Sequence, residues 1–238
     1  MAVVTLARQI GSGGSAIAVE LARALDYLLV DKEIVDEAAR QLGIDPAWAW
    51  MGDERVDHGT VDAVTKRVIA KLRQTAHLPR ANQEQAHADA PYWNPRWNVR
   101  RYAKIVDHLI DTAAGPGRVI IVGRGANFIL AGRPNTVRAF IGGTRELRVQ
   151  RLALTEGLDP QFAERAVTYS DEQRSQYIQR VFGRAWMDPS GCDVMFMTDH
   201  VPDRAIVRVV SALVQAVDPA VAARERPLSE TADAWLRH

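Results

Sequence analysis

The chain has 238 residues, 30 of them lysine or arginine against 29 aspartate or glutamate, so its formal net charge of +1 provides no global field for recruiting nucleic acid. At 47% hydrophobic and 25% charged residues it is globular, and long enough for one α/β domain or one domain with an insertion. Its single cysteine, Cys192, excludes an intrachain disulfide and an all-cysteine metal cage, and fits a reducing compartment.

The N-terminal MAVVTLARQ has neither the charged start nor the long apolar segment of a signal peptide, and no later run is apolar enough to span a bilayer. A soluble cytoplasmic protein without a membrane partner is expected. Residues 3–7 form a short β-branched apolar run that reads as a buried strand, and 15–25 (SAIAVELARAL) carry apolar residues at helical spacing. Residues 27–30 read as a second short strand ending at Asp31, and 32–42 return to helical periodicity before Gly43 and Pro46. From 45 to about 98 the pattern changes: Trp48, Trp50, Trp93 and Trp97 fall here, PYWNPRWN breaks regular structure, and only 56–76 reads as a helix. This stretch reads as an insertion.

Residues 99–114 predict a further helix closed by Gly115-Pro116-Gly117, and RVIIV at 118–122 is the clearest buried strand, with Gly123-Arg124-Gly125 at its C-terminal end. A fourth strand is expected over 136–141, followed by Gly142-Gly143 and an arginine-rich helix over 144–154. A long polar helical region from 160 to about 184 leads to the turn MDPSGC. DVMFMT at 193–198 is a fifth strand, 202–217 a final amphipathic helix, and 219–238 a peripheral or partly disordered tail. Strands alternating with helices imply a parallel sheet, in which ligands gather at the carboxyl ends of the strands. Those ends are residues 8–15, Asp31, Gly123-Arg124 and Gly142-Gly143.

A glycine loop that opens a helix presents backbone N–H groups and the positive end of the helix dipole, and so favours an anion. Gly11, Ser12, Gly13 and Gly14 supply the permissive backbone, and Ser15 stands where a P-loop places the hydroxyl that holds magnesium. Against GxxxxGK[ST] the first glycine is Arg8 and the lysine is Gly14, so the match is partial; alone, GSGGS is equally an ordinary strand-to-helix turn. Asp31 is placed to bind magnesium, to orient an acceptor, or simply to cap the helix beginning at Lys32. Arg145, Arg148 and Arg151 recur every three residues, and Arg174, Tyr177, Arg180 and Arg184 line up similarly. Each row is either turned to the site or a solvated face paired with carboxylates such as Asp171. His58, His77, His87, His108 and His200 form no HxxxH or HxH pair, so no zinc site is expected. The tryptophans suit a domain interface or a homodimer contact at least as well as a base stack.

ARQIGSGGSAIAVELARALDYLLVDKEIV, RVIIVGRGANFILAGRPNTVRAFI, RVQRL, SDEQRSQYIQRVFG and DPSGCDVMFMT together resemble the cytidylate kinase-like family of P-loop proteins. The resemblance covers both flanks of the core and is poor over 45–98. It implies a three-layer α/β P-loop kinase fold of the nucleoside monophosphate kinase type: a five-stranded parallel sheet, a helical insertion and an arginine-rich mobile lid over about 144–190, in one domain spanning 1–218. It implies transfer of the terminal phosphoryl of ATP, with Mg2+, to CMP, dCMP or a similar monophosphate, so the partner is a small nucleotide. Carried onto this chain, the ATP phosphates fall to Gly11, Ser12, Gly13, Gly14 and Ser15, the metal to Ser15 and Asp31, and the acceptor to Asp31 and Arg124. Arg124 resembles the arginine of the DGR segment of cytidylate kinases, whose acidic residue has become Gly123. Arg8, Arg124, Arg148, Arg174 and Arg180 are the candidate cations for the transferring group, and Asn127 and Arg133 lie in the same family-like segment. The glycine in place of the loop lysine looks like a trait of the family. It also keeps open a nucleotide-binding regulatory module without efficient transfer, and a kinase of another small acceptor.

Overall fold

The computed structural model describes residues 1–31 and 95–217. The helices expected over 32–42 and 56–76, Trp48, Trp50 and Trp93, and the tail lie outside the described residues.

Val3–Arg8 (β1) is buried at all six positions, as a β-branched run covered on both faces must be. The strand gives way at Gly11 (φ 74°) and Gly13 (φ 82°), and the chain enters Gly14–Leu25 (α1). Leu28–Val30 (β2) follows. Beyond it come Pro95–Ala114 (α2), Val119–Val122 (β3), Ala126–Ile129 (α3), Thr136–Gly142 (β4), Arg145–Glu156 (α4) and Pro160–Phe182 (α5). A 3-10 turn at Pro189–Gly191, Val194–Met197 (β5) and Asp203–Ala216 (α6) complete the order.

The five strands lie in the order β2-β3-β1-β4-β5, every neighbouring pair parallel. Parallel neighbours need crossovers, and the crossover helices cover both faces. The two-residue period of the strands sorts the core accordingly. Val3, Val119 and Ile121 face one side, against Val106, Ile110 and Ala114 of α2. Val4, Leu6, Ile120 and Val122 face the other, against Ile17 and Leu21 of α1 and Ile206 and Val210 of α6. A third cluster joins Leu152 of α4 to Ala163 and Val167 of α5 around Ile10, a residue of the glycine loop. The α4–α5 arm is thereby packed onto the loop itself.

Two details differ from expectation. α2 is helical from Pro95, the first described residue after position 31, which lies inside the stretch read as irregular. α3 was not expected, since four residues are too few to show periodicity.

Candidate functional site

Ser12 is fully buried, and its Oγ donates to the Gln9 carbonyl at 2.7 Å and accepts from the Gly14 N–H at 3.4 Å. It holds the loop together from inside. A Cβ on Gly11 would stand 2.3 Å from the Arg148 carbonyl oxygen, so glycine is required there for space as well as for its positive φ. The N–H groups of Gly13, Ser15 and Ala16 have no carbonyl acceptor among the described residues, and Ser15 and Ala16 are exposed. An exposed helix start with such donors favours an anion.

Arginines from the arm fasten the carbonyl side of this loop. Arg151 Nη1 donates to Ser12 O (3.1 Å) and Thr198 Oγ1 (2.8 Å), and its Nη2 to Thr198 O (3.3 Å). Arg148 Nε donates to Gly143 O (3.0 Å) and its Nη1 to Ile10 O (3.5 Å), while both Nη atoms grip Asp171 at 3.0 and 2.8 Å. Arg174 Nη1 donates to Arg8 O at 2.6 Å, and its guanidinium lies 5.3 Å from the centre of the Trp186 ring. With its carbonyls taken by guanidinium groups, the loop is left with its N–H face outward.

Arg8 itself is 5% exposed. Its Nε donates to Ser15 Oγ at 3.1 Å and its Nη2 to Asp31 Oδ1 at 3.4 Å. Next to it, Gly123-Arg124-Gly125 runs at φ 74°, 55° and 71°, three successive left-handed residues that turn Arg124 back over the end of β3. Phe182, stacked 5.4 Å from Phe128, covers Gly125 so closely that a Cβ there would meet its ring at 2.4 Å. Arg8, Arg124 and Arg174, with Tyr177 and Trp186, line a cavity of ≈ 40 Å³ at the carboxyl ends of β1 and β3. All three arginines are 9% exposed or less.

A glycine loop thus stands at the end of a central parallel strand and opens a helix beside a cleft of buried arginines. A model of the cytidylate kinase-like family matches residues 3–200. The chain belongs to the cytidylate kinase-like family. Among solved structures, an uncharacterized protein from Eubacterium ventriosum superposes with a TM-score of 0.60 at 20% identity, over 90% of this chain and 98% of that one. A shikimate kinase from Acinetobacter baumannii in complex with shikimate gives 0.46 at 10% identity, over 92% and 96%. A gluconokinase from Sinorhizobium meliloti gives 0.46 at 14%, over 94% and 98%. No curated protein matches the chain.

The five-stranded parallel sheet with helices on both faces is the P-loop kinase-like α/β fold. Membership of this family supports phosphoryl transfer as the general chemistry and a nucleotide as ligand. Among the described residues, no helix is long and apolar enough to cross a membrane.

The family-derived site residues now have places. Gly11, Ser12, Gly13, Gly14 and Ser15 form the loop, and Arg8, Asp31, Arg124 and Arg174 gather beside it. Arg148 meets the loop from below, through its carbonyls. Arg180 is brought to neither loop nor cleft: it is exposed on α5 and, among the described residues, reaches Gln176 at 3.5 Å. Arg145 pairs with Glu164 at 3.1 Å on the surface, and Arg184 with Asp188 at 3.4 Å. Asn127 Nδ2 donates to Gly191 O (3.1 Å) and Arg133 Nη2 to Ala114 O (2.8 Å), so both serve the local fold. Magnesium does not fit as expected. The two residues assigned to it, Ser15 and Asp31, are both engaged by the Arg8 guanidinium. Burial pushes the Cys192 thiol up to about 11, which disfavours the thiolate at neutral pH.

Sequence reading did not anticipate Gln9, Thr198 or Asp199. Gln9 Oε1 accepts from Gly143 N–H at 3.2 Å, and Thr198 Oγ1 lies 3.0 Å from Ser12 O. Asp199 receives the N–H of Thr144, the cap of α4, at 3.0 Å, together with its hydroxyl. These hydrogen bonds from Thr144 hold the Asp199 carboxyl below the usual carboxylate range. The signal was available: Thr198 and Asp199 stand at the carboxyl end of β5, where strand-end polar residues face the ligand side.

Proposed function

We propose that the protein transfers the terminal phosphoryl group of ATP to a nucleoside monophosphate, CMP or dCMP. The observation that carries this reading is the convergence of Arg8, Arg124 and Arg174 on one cleft beside the outward N–H face of the glycine loop. Three buried guanidinium groups suit a site that gathers several phosphates, since each carries a permanent positive charge beside the loop.

In the reaction a phosphate oxygen of the monophosphate attacks the terminal phosphorus, a new P–O bond forms, and the bond to the bridging oxygen of ADP breaks. The attacking oxygen is already anionic, so the protein supplies position and charge rather than a base. The loop N–H groups of Gly13, Ser15 and Ala16 hold the donor phosphates. Arg124 faces the acceptor, and Arg174 and Arg8 stabilise charge on the transferring group. At ≈ 40 Å³ the cavity has room for a few waters but not for a nucleoside. Acceptor binding therefore requires the cleft to open.

A coupled ADP-release assay with magnesium-ATP across a panel of nucleoside monophosphates tests this. CMP and dCMP are expected to stimulate release, and Arg124→Ala to lower kcat/KM by roughly 100-fold, the usual cost of one preorganised charge contact. Arg180→Ala is expected to stay within about threefold of wild type, as exposed side chains away from the site do. ATP binding without turnover on any acceptor replaces this reading with a regulatory nucleotide module, and turnover only on a non-nucleotide replaces it with a kinase of another acceptor.

A further inference from the structure

We infer, resting on the nucleotide reading of the loop, that Arg8 is the resident cation of this site: one guanidinium fills the places that a P-loop lysine and a loop-bound divalent cation would otherwise take. Gly14 is the space it needs. A Cβ at position 14 would lie 2.7 Å from the Arg8 Cβ and 3.3 and 3.4 Å from its Cδ and Cγ. The closest of these atoms is fixed to the backbone of β1 and cannot swing aside. Gly14 sits in the first turn of α1 with no positive φ, so the demand for glycine there is one of room alone. A lysine at 14 and an arginine at 8 exclude one another, and the chain carries the arginine.

The far end of Arg8 is equally determined. Its Nη1 would lie 3.2 Å from a Cβ on Gly123, and the φ of 74° at that position itself favours glycine. Its Nε is spent on the Ser15 hydroxyl and its Nη2 on Asp31. A P-loop gives that hydroxyl to a metal ion, and a strand-end aspartate beside it completes the same task. Here both oxygens already face a positive charge, and a second cation between them would meet the guanidinium. The main chain is fixed too, with the Arg8 carbonyl held by Arg174 at 2.6 Å. The missing lysine and the engaged Ser15–Asp31 pair are thus one substitution seen from two sides. Arginine suits it because its charge is permanent and its planar fork can bridge a hydroxyl and a carboxylate, which a lysine ammonium does less well.

Triphosphate binding at this loop consequently does not depend on a divalent cation held by Ser15. The test is calorimetric titration of the full chain with ATP, in magnesium and again in EDTA, for wild type, Arg8→Ala and the double variant R8G/G14K. Wild type is expected to bind with dissociation constants within about threefold of each other in the two buffers, and Arg8→Ala at least tenfold more weakly in EDTA than in magnesium. R8G/G14K, which moves the cation back to position 14 and frees Ser15 and Asp31, is expected to bind in magnesium within about threefold of wild type. A tenfold or larger loss for wild type on adding EDTA overturns the inference, and needs no variant to fold; so does an Arg8→Ala that binds like wild type in both buffers. Wild type that binds ATP in neither buffer overturns the nucleotide reading together with this inference, whereas binding without transfer overturns the proposed reaction alone.

Discussion

Arg124 holds a backbone conformation that an L-residue adopts only at a cost of about 1–2 kcal/mol, at φ 55° between two glycines that share it. Strain of this kind persists where the side chain it aims is needed, and here the side chain enters the arginine cleft. Arg124→Gly is accordingly expected to leave stability in urea unchanged or raised by up to about 1 kcal/mol while removing most of the CMP-stimulated activity. A large loss of stability with activity retained would contradict the assignment. At this scale the sequence was informative about which residues matter but not about why. Gly14 stood out as a departure from the P-loop pattern, yet its cause is a contact between the end of a strand and the first turn of the next helix, which no spacing rule contains.

Helical spacing explains which arginines of α4 and α5 reach the site. Three residues fall short of a full turn by about 60°, so a row spaced by three drifts by about 120° over its length. Arg148 and Arg151 consequently face the loop while Arg145 turns out to Glu164. On α5, Arg174 and Tyr177 line the cleft and Arg180 reaches solvent. The rows were legible in the sequence; the face each presented was not, because that is set by packing of the arm against Ile10. The join between β4 and β5 has its own fastening. Arg138 Nη2 grips Asp193 Oδ1 at 2.6 Å, and the Arg138 N–H donates to Oδ2 at 2.8 Å. Burial raises the Asp193 carboxyl, but the Arg138 hydrogen bonds and charge outweigh it and leave the group below its ordinary value of 3.8. A carboxyl lowered by folding contributes stability that is full above its unfolded pKa and is lost as the pH falls through the folded one. Thermal unfolding followed from about pH 6 down to pH 2.5 is therefore expected to show a steep loss below about pH 4, and Asp193→Asn to lower Tm at pH 6 and flatten that loss. An acid limb of unchanged steepness in the variant would show that this fork carries none of it.

Across the whole molecule, the sheet order brings residues far apart in sequence to one edge. With β1 between β3 and β4, Leu6 pairs with Val122 and Arg8 with Ile141, so the ends of these strands and of β2 open on the same side. The alternation of apolar runs and helical stretches made this architecture readable, since a strand buried on both faces announces itself by continuous hydrophobicity, as VVTLAR and VIIV do. What sequence alone could not give was the side-chain traffic at that edge: the arginines that take the loop carbonyls, and the one that lies where a lysine and a metal were expected. The most direct test of the account is to follow the label of ATP carrying a radioactive terminal phosphate, incubated with the wild-type chain and CMP. The expected result is label recovered on CDP. Label that remains on ATP, or appears only as inorganic phosphate, would contradict it.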